Sequence, residues 1–478
     1  MIVAGSMIGS GIFIVPGDIA RRLGSAGWML LVWAAAASLI VCAALSYGEL
    51  AAMMPQVGGQ YVYLRESWSP LAGFLFGWSM FLVIQSGTIA AVAVGFARFL
   101  GALVPAVSPA AFLVPPIPLS QGYAVSLSVQ QAVAIALIAL LTYLNTRGLR
   151  TGRLIQNLFT SGKALALVAL ILLGLTLGRN AAALQANFSQ AWTARTVETV
   201  EPGAGFAATF VLAMVGALFS CGAWNDVSFA AAEIRDPRRT LPRALIAGTA
   251  IVGVLYLLVN LAYLVTLPLP AIAHAPDDRV ATAAMAVICG PAGGTAMAVA
   301  IVVSTFGCAN GLILAGARVY YAMARDGLFF SAAGRLNRAR VPAAGLALQG
   351  AWSALLVLPR TRLHDALGRP LLDAAGAPRY GNLYGNLLEY VIFTVLLFYV
   401  LTIAGLFILR VKRPDAARPY RALGYPLVPG FYILGASAVM AALFLYRRET
   451  AWPGLVLVLA GIPVYFLWRR LGTPSSIV

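Results

Sequence analysis

The sequence predicts an all-α membrane protein with twelve transmembrane helices. Composition is the first observation behind this: 61% of the 478 residues are hydrophobic and 10% charged, where a soluble chain carries roughly 25% charged residues. The second is distribution. Apolar runs of about 20 residues, the length that crosses a hydrocarbon core, recur from end to end. No soluble fold hides so much apolar surface, and the mean hydropathy of +0.86 reads as one membrane domain over 1–478.

With charges and Pro/Gly clusters as borders, the spans fall near 1–20, 28–53, 70–97, 128–145, 154–178, 206–232, 244–268, 292–318, 341–359, 385–409, 425–446 and 451–468. Lipid offers the backbone no hydrogen-bonding partner, so such runs are helices and not barrel strands. An even number of spans places both ends on one side. With the ends cytoplasmic, the inner loops and span ends hold nineteen basic residues and the outer ones twelve, the bias that orients membrane proteins.

The formal charge of +17 therefore reads as loop charge facing anionic lipid. The basic residues do not gather on one face, and no nucleic-acid partner is expected. Arg318 lies close enough to a span end to snorkel. Lys163 lies ten residues past Arg153, about 15 Å of helix, too deep for that.

Cys42, Cys221, Cys289 and Cys308 show no CxxC spacing and read as packed thiols, while His274 and His364 both fall in loops. No metal site, no cofactor and no nucleophile–base pair is expected inside the spans, so an enzyme is not expected either. Nor is there a basic n-region or a cleavage site of the kind that marks a removable signal peptide.

Two stretches carry chemistry. Met7-Ile8-Gly9-Ser10-Gly11-Ile12-Phe13 lies in the first span. Glycine costs a helix about 1 kcal/mol relative to alanine, so three glycines and two serines between Gly5 and Gly11 invite a break. The half-helix after it would offer its N–H groups and positive dipole end to a carboxylate. Gly5 and Gly9 are equally well spaced for close helix packing, and both readings stand. Phe219-Ser220-Cys221-Gly222-Ala223-Trp224-Asn225-Asp226 repeats the pattern in the sixth span, with polar side chains at membrane depth that mark a substrate pathway. Phe219 and Trp224 alone would read as core. Spans one and six open two successive sets of five, and interrupted helices at matching positions point to a transporter site.

These residues also resemble a known family. Gly5 to Phe13, Tyr47-Gly48-Glu49-Leu50, Gly58-Gly59-Gln60-Tyr61-Val62-Tyr63, Gly222-Ala223-Trp224-Asn225 with Glu233-Ile234-Arg235-Asp236-Pro237, Met323-Ala324-Arg325-Asp326-Gly327 and Arg418-Pro419-Tyr420 are similar to the amino acid–polyamine–organocation superfamily, and within it to the L-type amino acid transporter group. The resemblance runs from Met1 to about Pro429. It implies a LeuT-type fold in which 1–178 and 206–410 are inverted five-helix repeats and 425–468 holds two peripheral helices.

It also implies alternating-access transport of amino acids, neutral and sodium-independent, by a permease or exchanger; the high alanine and arginine usage points to a bacterial inner membrane, no cofactor is expected, and no residue indicates an obligate protein partner. Substrate-binding positions carried over are Met7, Ile8, Gly9, Ser10, Gly11, Phe219, Ser220, Gly222, Trp224 and Asn225. The carboxylate would meet the N–H groups of Ser10 and Gly11. The ammonium would meet carbonyls near Met7 and at Phe219, Ser220 and Gly222, with Phe219 as an aromatic gate. Lys163 matches a lysine that stands in for a coupling sodium ion; read by itself, it caps a polar cluster with Thr160 and Ser161. Such relatives have about two further helical turns before the glycine stretch, and their near absence reads as a start site placed too far downstream, with an impaired copy as the alternative.

Glu49, Glu233, Asp236 and Asp326 stand beside arginines at inner span ends, as solvated pairs or as gate contacts. A cationic amino acid, polyamine or proton-coupled carrier is the alternative within transport, with Asp226 as the acidic candidate. A sensor that binds amino acids without moving them shares every motif and differs only in flux.

Overall fold

The computed structural model describes residues 2–120, 122–194, 205–363, 369–372, 378–381 and 383–471, with backbone alone for 2, 149–160, 232, 233 and 471. His364 lies outside them. The first apolar run is broken as its glycines require, into α1 (Ile2–Met7) and α2 (Gly11–Leu23). α2 stops at Gly24, whose φ of 57° is the left-handed conformation that closes helices. α3 (Ala26–Met53) starts from the Ser25 cap, and the short α4 (Gln60–Ser67) leads to α5 (Pro70–Ser79). A π turn over Met80–Ile84 joins α5 to α6 (Gln85–Leu103), making one span of 70–103.

A Ser128–Gln131 capping box opens α7 (Val129–Thr146). α8 (Leu149–Thr176) and α9 (Ala181–Phe188) meet at a bend of 93° over residues 161–188. The second break ends α10 (Phe206–Ser220), and a 3₁₀ turn over Asp226–Glu233 follows. Then come α11 (Pro237–Thr266), α12 (Leu269–Ala273), α13 (Val280–Arg325), α14 (Ala343–Leu356), α15 (Leu383–Lys412), α16 (Leu427–Tyr446) and α17 (Arg448–Leu471).

Among the described residues eight helices are long and apolar enough to cross a membrane alone, or nine with the bent pair. The remaining expected spans are short for a stated reason. The two breaks cut the first and sixth into pieces, and α14 has 14 residues. α13 is longer than expected, reaching back to Val280 across a kink at Cys289–Gly290.

Three strands were not expected. β1 (Phe112–Pro118), β2 (Tyr123–Ser128) and β3 (Pro359–Thr361) form an antiparallel sheet in the order β1-β2-β3, outside the helical bundle. The three prolines of Phe112–Pro118 hide its strand pattern. Cys221 and Cys308 are buried as expected, but Cys289 is exposed, because it sits at the α13 kink.

The helices enclose one apolar core, with α2, α6, α10, α11, α13 and α15 about its middle. α16 packs outside α3 and α15, and α17 outside α5 and α15.

Candidate functional site

A cavity of about 70 Å³ lies between the two breaks. The ends of α2 and α10 meet there so closely that a Cβ on Gly11 would lie 2.8 Å from Ser220 Cβ and 3.0 Å from its Cα. Only glycine permits that approach. Ser10 and Gly11 open α2, the end whose first N–H groups have no acceptor within the helix.

On the other side of the break, the last four carbonyls of α1 need partners from elsewhere, because the helix stops. Each has one. Ala4 O accepts from Ile8 N–H at 3.0 Å, Gly5 O from Lys163 Nζ at 2.9 Å, Ser6 O from the Cys308 thiol at 3.7 Å, and Met7 O from the Tyr256 hydroxyl at 3.0 Å. Tyr256 also lies 3.2 Å from Ser220 O, so one hydroxyl spans the two breaks. Lys163, 1% exposed, puts its charge at a helix C-terminus, where the dipole favours a cation. Ser161 is exposed and the Thr160 side chain lies outside the described residues, so the visible partner of Lys163 is the α1 end.

Of the residues expected at the site, Met7, Gly9, Ser10, Gly11, Phe219, Ser220, Gly222 and Asn225 line the cavity. Ile8 and Trp224 are buried beside it without lining it. Trp224 instead packs edge-on against Tyr47 and at a tilt against Tyr399, with ring centroids 5.1 and 5.3 Å away. A Cβ on Gly9 would meet Cys308 Sγ at 3.3 Å, so this glycine serves close packing as well as the break.

The polar lining extends beyond the expected residues. Asn225 donates to Gln60 Oε1 at 2.9 Å and accepts from the Tyr399 hydroxyl at 2.7 Å, and Gln60 in turn donates to Thr402 at 2.9 Å. Gln85, at the end of the π turn, donates to Leu312 O at 2.7 Å. Gln85 is a single polar residue in an apolar run that nothing in its neighbours marks, while Gln60 stood in the sequence only as part of a motif. Tyr384 is unmarked too. Its hydroxyl is 2.9 Å from Ser10 Oγ, its ring meets Phe219 edge-on at 6.2 Å, and its other side borders a charged cavity of about 320 Å³ with Asp18, Arg21 and Glu389.

The two ends of the bundle are tied by ion pairs. At the charged-cavity end, Asp278 accepts from Arg21 at 2.6 Å and Arg98 at 3.2 Å. At the opposite end Glu49 is wholly buried and binds Arg410 at 2.6 Å, Arg418 at 3.2 Å and the Ala422 N–H at 2.7 Å. The solvated-pair reading of Glu49 is thus overturned. Asp326 is paired with Arg65 and accepts from the Tyr61 hydroxyl at 2.6 Å. Glu66 joins the cluster through Arg413 at 2.7 Å. That hydrogen bond, opposed by desolvation and helped by the nearby Arg65 charge, holds the Glu66 carboxyl below the ordinary glutamate range. Asp236 caps α11 in the left-handed conformation, and the Glu233 side chain lies outside the described residues. Among those residues, no group of three or more His, Cys, Asp or Glu is arranged to hold a metal ion.

The arrangement can hold a zwitterion between a helix N-terminus and a set of carbonyls. The family model described as amino acid permease matches residues 1–467. The large neutral amino acids transporter small subunit 2 of Mus musculus is 29% identical over 98% of this chain and 79% of its own length. The Asc-type amino acid transporter 1 of the same organism is 28% identical over 98% and 80%, and its b(0,+)-type amino acid transporter 1 is 28% identical over 98% and 86%. These relatives are transporters, not enzymes. The first is named a small subunit, so a relative's name points to a partner that no residue of this chain indicated.

Proposed function

The chain belongs to the amino acid permease family, and from that membership we propose that it exchanges neutral amino acids across a bilayer by alternating access, without a sodium requirement. It is a multi-pass integral membrane protein that carries amino acids. The finer reading gives it twelve spans, with 1–178 and 206–410 as inverted repeats and 425–468 as two peripheral helices, both termini on the cytoplasmic side of a bacterial inner membrane. The Glu49 cluster is then the inner gate and the Asp278 cluster the outer one.

The observation that carries this reading is the meeting of two broken helices across one cavity, Gly11 against Ser220. The substrate carboxylate sits on the Ser10 and Gly11 N–H groups. Its ammonium takes the free lone pairs of Met7 O and Ser220 O, since a carbonyl accepts twice and Tyr256 uses one site of each. Lys163 occupies the place of a cation at the α1 carbonyl end, which supports independence from sodium. The names of the relatives support amino acids as the cargo, large and neutral in one case.

The test is uptake of radiolabelled leucine into proteoliposomes preloaded with unlabelled leucine, in sodium and in choline buffers. Equal, saturable uptake in both that vanishes in empty vesicles is the expected result. Uptake that needs sodium would overturn the role given to Lys163, and binding without flux would make the protein a sensor.

A further inference from the structure

The cavity has a second polar end that the backbone chemistry of the breaks does not use. Asp226 lines it, is 8% exposed, and leaves Oδ2 without a hydrogen-bond partner. Among the described lining residues it is the one carboxylate, and no lysine or arginine lines the cavity with it. The neighbouring amides are committed elsewhere: Asn225 Nδ2 to Gln60, Gln60 Nε2 to Thr402, and Gln85 Nε2 to Leu312 O. Gln85 is the polar side chain that still approaches the Asp226 carboxylate.

The titratable groups facing Asp226 from the surrounding elements are Tyr47 of α3, Cys308 and Tyr320 of α13 and Tyr399 of α15. None brings a positive charge. Lys163, which faces Cys308 of that set, is held by Gly5 O. A buried carboxylate with no counter-charge is costly, so it either holds a proton or meets a cation.

We propose that Asp226 is a specificity-determining residue through which one cavity accepts two substrate classes: protonated, it faces a neutral amino acid, and ionised, it binds the terminal ammonium of a cationic one. This rests on the amino acid transport reading and adds the cationic class to it. The proton balance is explicit. A cationic amino acid entering the protonated site sends the Asp226 proton to bulk water, and its own side-chain charge replaces it, so the occupied cavity has the same net charge with either ligand. Exchange of a neutral for a cationic amino acid therefore moves one proton against the cationic substrate.

One consequence needs no knowledge of where Asp226 titrates. The two bound states differ by one proton, so by linkage the ratio of lysine to leucine affinity rises tenfold per pH unit while lysine stays charged. The experiment is equilibrium binding of radiolabelled L-lysine and L-leucine to the purified full chain in detergent between pH 5.5 and 8.5. Lysine binding in weakly buffered solution at the acid end should also release about one proton per site. The Asp226→Asn protein should show a ratio that is flat with pH and shifted toward leucine by at least about 30-fold at pH 7.5, the loss expected when one partner of a buried charge pair is removed.

Leucine binding with no lysine binding at any pH, or a flat ratio in the native protein, overturns the inference and leaves the transport reading standing. Failure of both ligands to bind a protein with a single sharp melting transition overturns the transport reading and this inference together. Proton release is read on the native protein, so the question is decided even if Asp226→Asn does not fold.

Discussion

Replacing Gly11 by alanine is expected to weaken leucine binding about 10- to 100-fold, and the magnitude follows from the spacing at the breaks. The added Cβ would lie 2.8 Å from Ser220 Cβ and 3.0 Å from its Cα, and nearer still to the Ser220 hydroxyl. Ordinary carbon contacts begin at about 3.5 Å, so the ends of α2 and α10 must part by about 0.7 Å, the difference from 2.8 Å. Overpacking of that kind costs about 1–3 kcal/mol. The same shift stretches an N–H to carboxylate bond of about 2.9 Å to about 3.6 Å, where it no longer counts as a hydrogen bond. A hydrogen bond to a charged group is worth about 1.5–3 kcal/mol, and about 1.4 kcal/mol is tenfold in affinity. The assay is scintillation proximity binding, with the thermal midpoint measured in parallel. Ser220→Gly in the same chain removes the Oγ and Cβ contacts and should restore at least half of the lost binding energy. Binding within about twofold of the native protein in Gly11→Ala alone would refute the reasoning.

Other perturbations probe the anchoring and the ends. Lys163→Ala leaves Gly5 O without its 2.9 Å donor, and should cut exchange at least about tenfold in choline buffer, since a hydrogen bond to a charged group contributes about 1.5–3 kcal/mol; proteoliposome uptake checks it, and unchanged exchange would remove Lys163 from the mechanism. Glu49→Ala leaves Arg410 and Arg418 facing an empty buried site. Because Arg410 is partly exposed, the cost should fall near the low end of the about 3–5 kcal/mol seen for broken buried pairs, visible as a thermal midpoint lower by several degrees. Glu66 gives a pH effect of defined sign. Its carboxyl titrates lower in the folded protein than in the unfolded chain, so its contribution is present above its ordinary value of 4.5 and disappears as pH falls through the folded value. The melting midpoint of native protein minus that of Glu66→Gln should therefore be constant from pH 8 to about 6 and shrink on acidification; a difference that grows toward low pH would contradict the Arg413 contact.

The breaks were legible because their cause is local. Gly9, Ser10 and Gly11, and Gly222 in the second stretch, weaken a helix whatever surrounds them, and the chain unwinds where they stand. Trp224 followed the motif and not the geometry: its ring fills the space between Tyr47 and Tyr399 and leaves the cavity to Asn225 and Asp226. Tyr256, Tyr384 and Gln85 were not legible, since each becomes meaningful only when a distant helix brings it to a break, as when Tyr384 of α15 reaches Ser10. Glu49 fell between two readings because sequence shows an arginine nearby but not whether water is. The strands β1 and β2 were missed because Pro115, Pro116 and Pro118 argue against a strand except at an edge, which is where β1 lies.

The way α1 ends bears on how one gate can move without the other. Gly5, Ser6 and Met7 hand their carbonyls to Lys163 of α8, Cys308 of α13 and Tyr256 of α11, so the six-residue half-helix hangs from three different helices by its last turn. Only Tyr256 also reaches the second break, at Ser220 O. A tilt of α1 that keeps its Lys163 bond but gives up the Tyr256 bond would uncouple the two breaks while a cation still satisfies the helix end. A tilt that gives up Lys163 would strand a buried ammonium, which costs far more than a neutral hydrogen bond. The cheaper movement pivots about Gly5, with Met7 swinging away from Ser220. Tyr256→Phe should then ease that swing. It removes one neutral hydroxyl shared by two carbonyls, worth about 0.5–1.5 kcal/mol, and so should raise the leucine dissociation rate about two- to tenfold. Slower dissociation in Tyr256→Phe would mean that the pivot lies elsewhere.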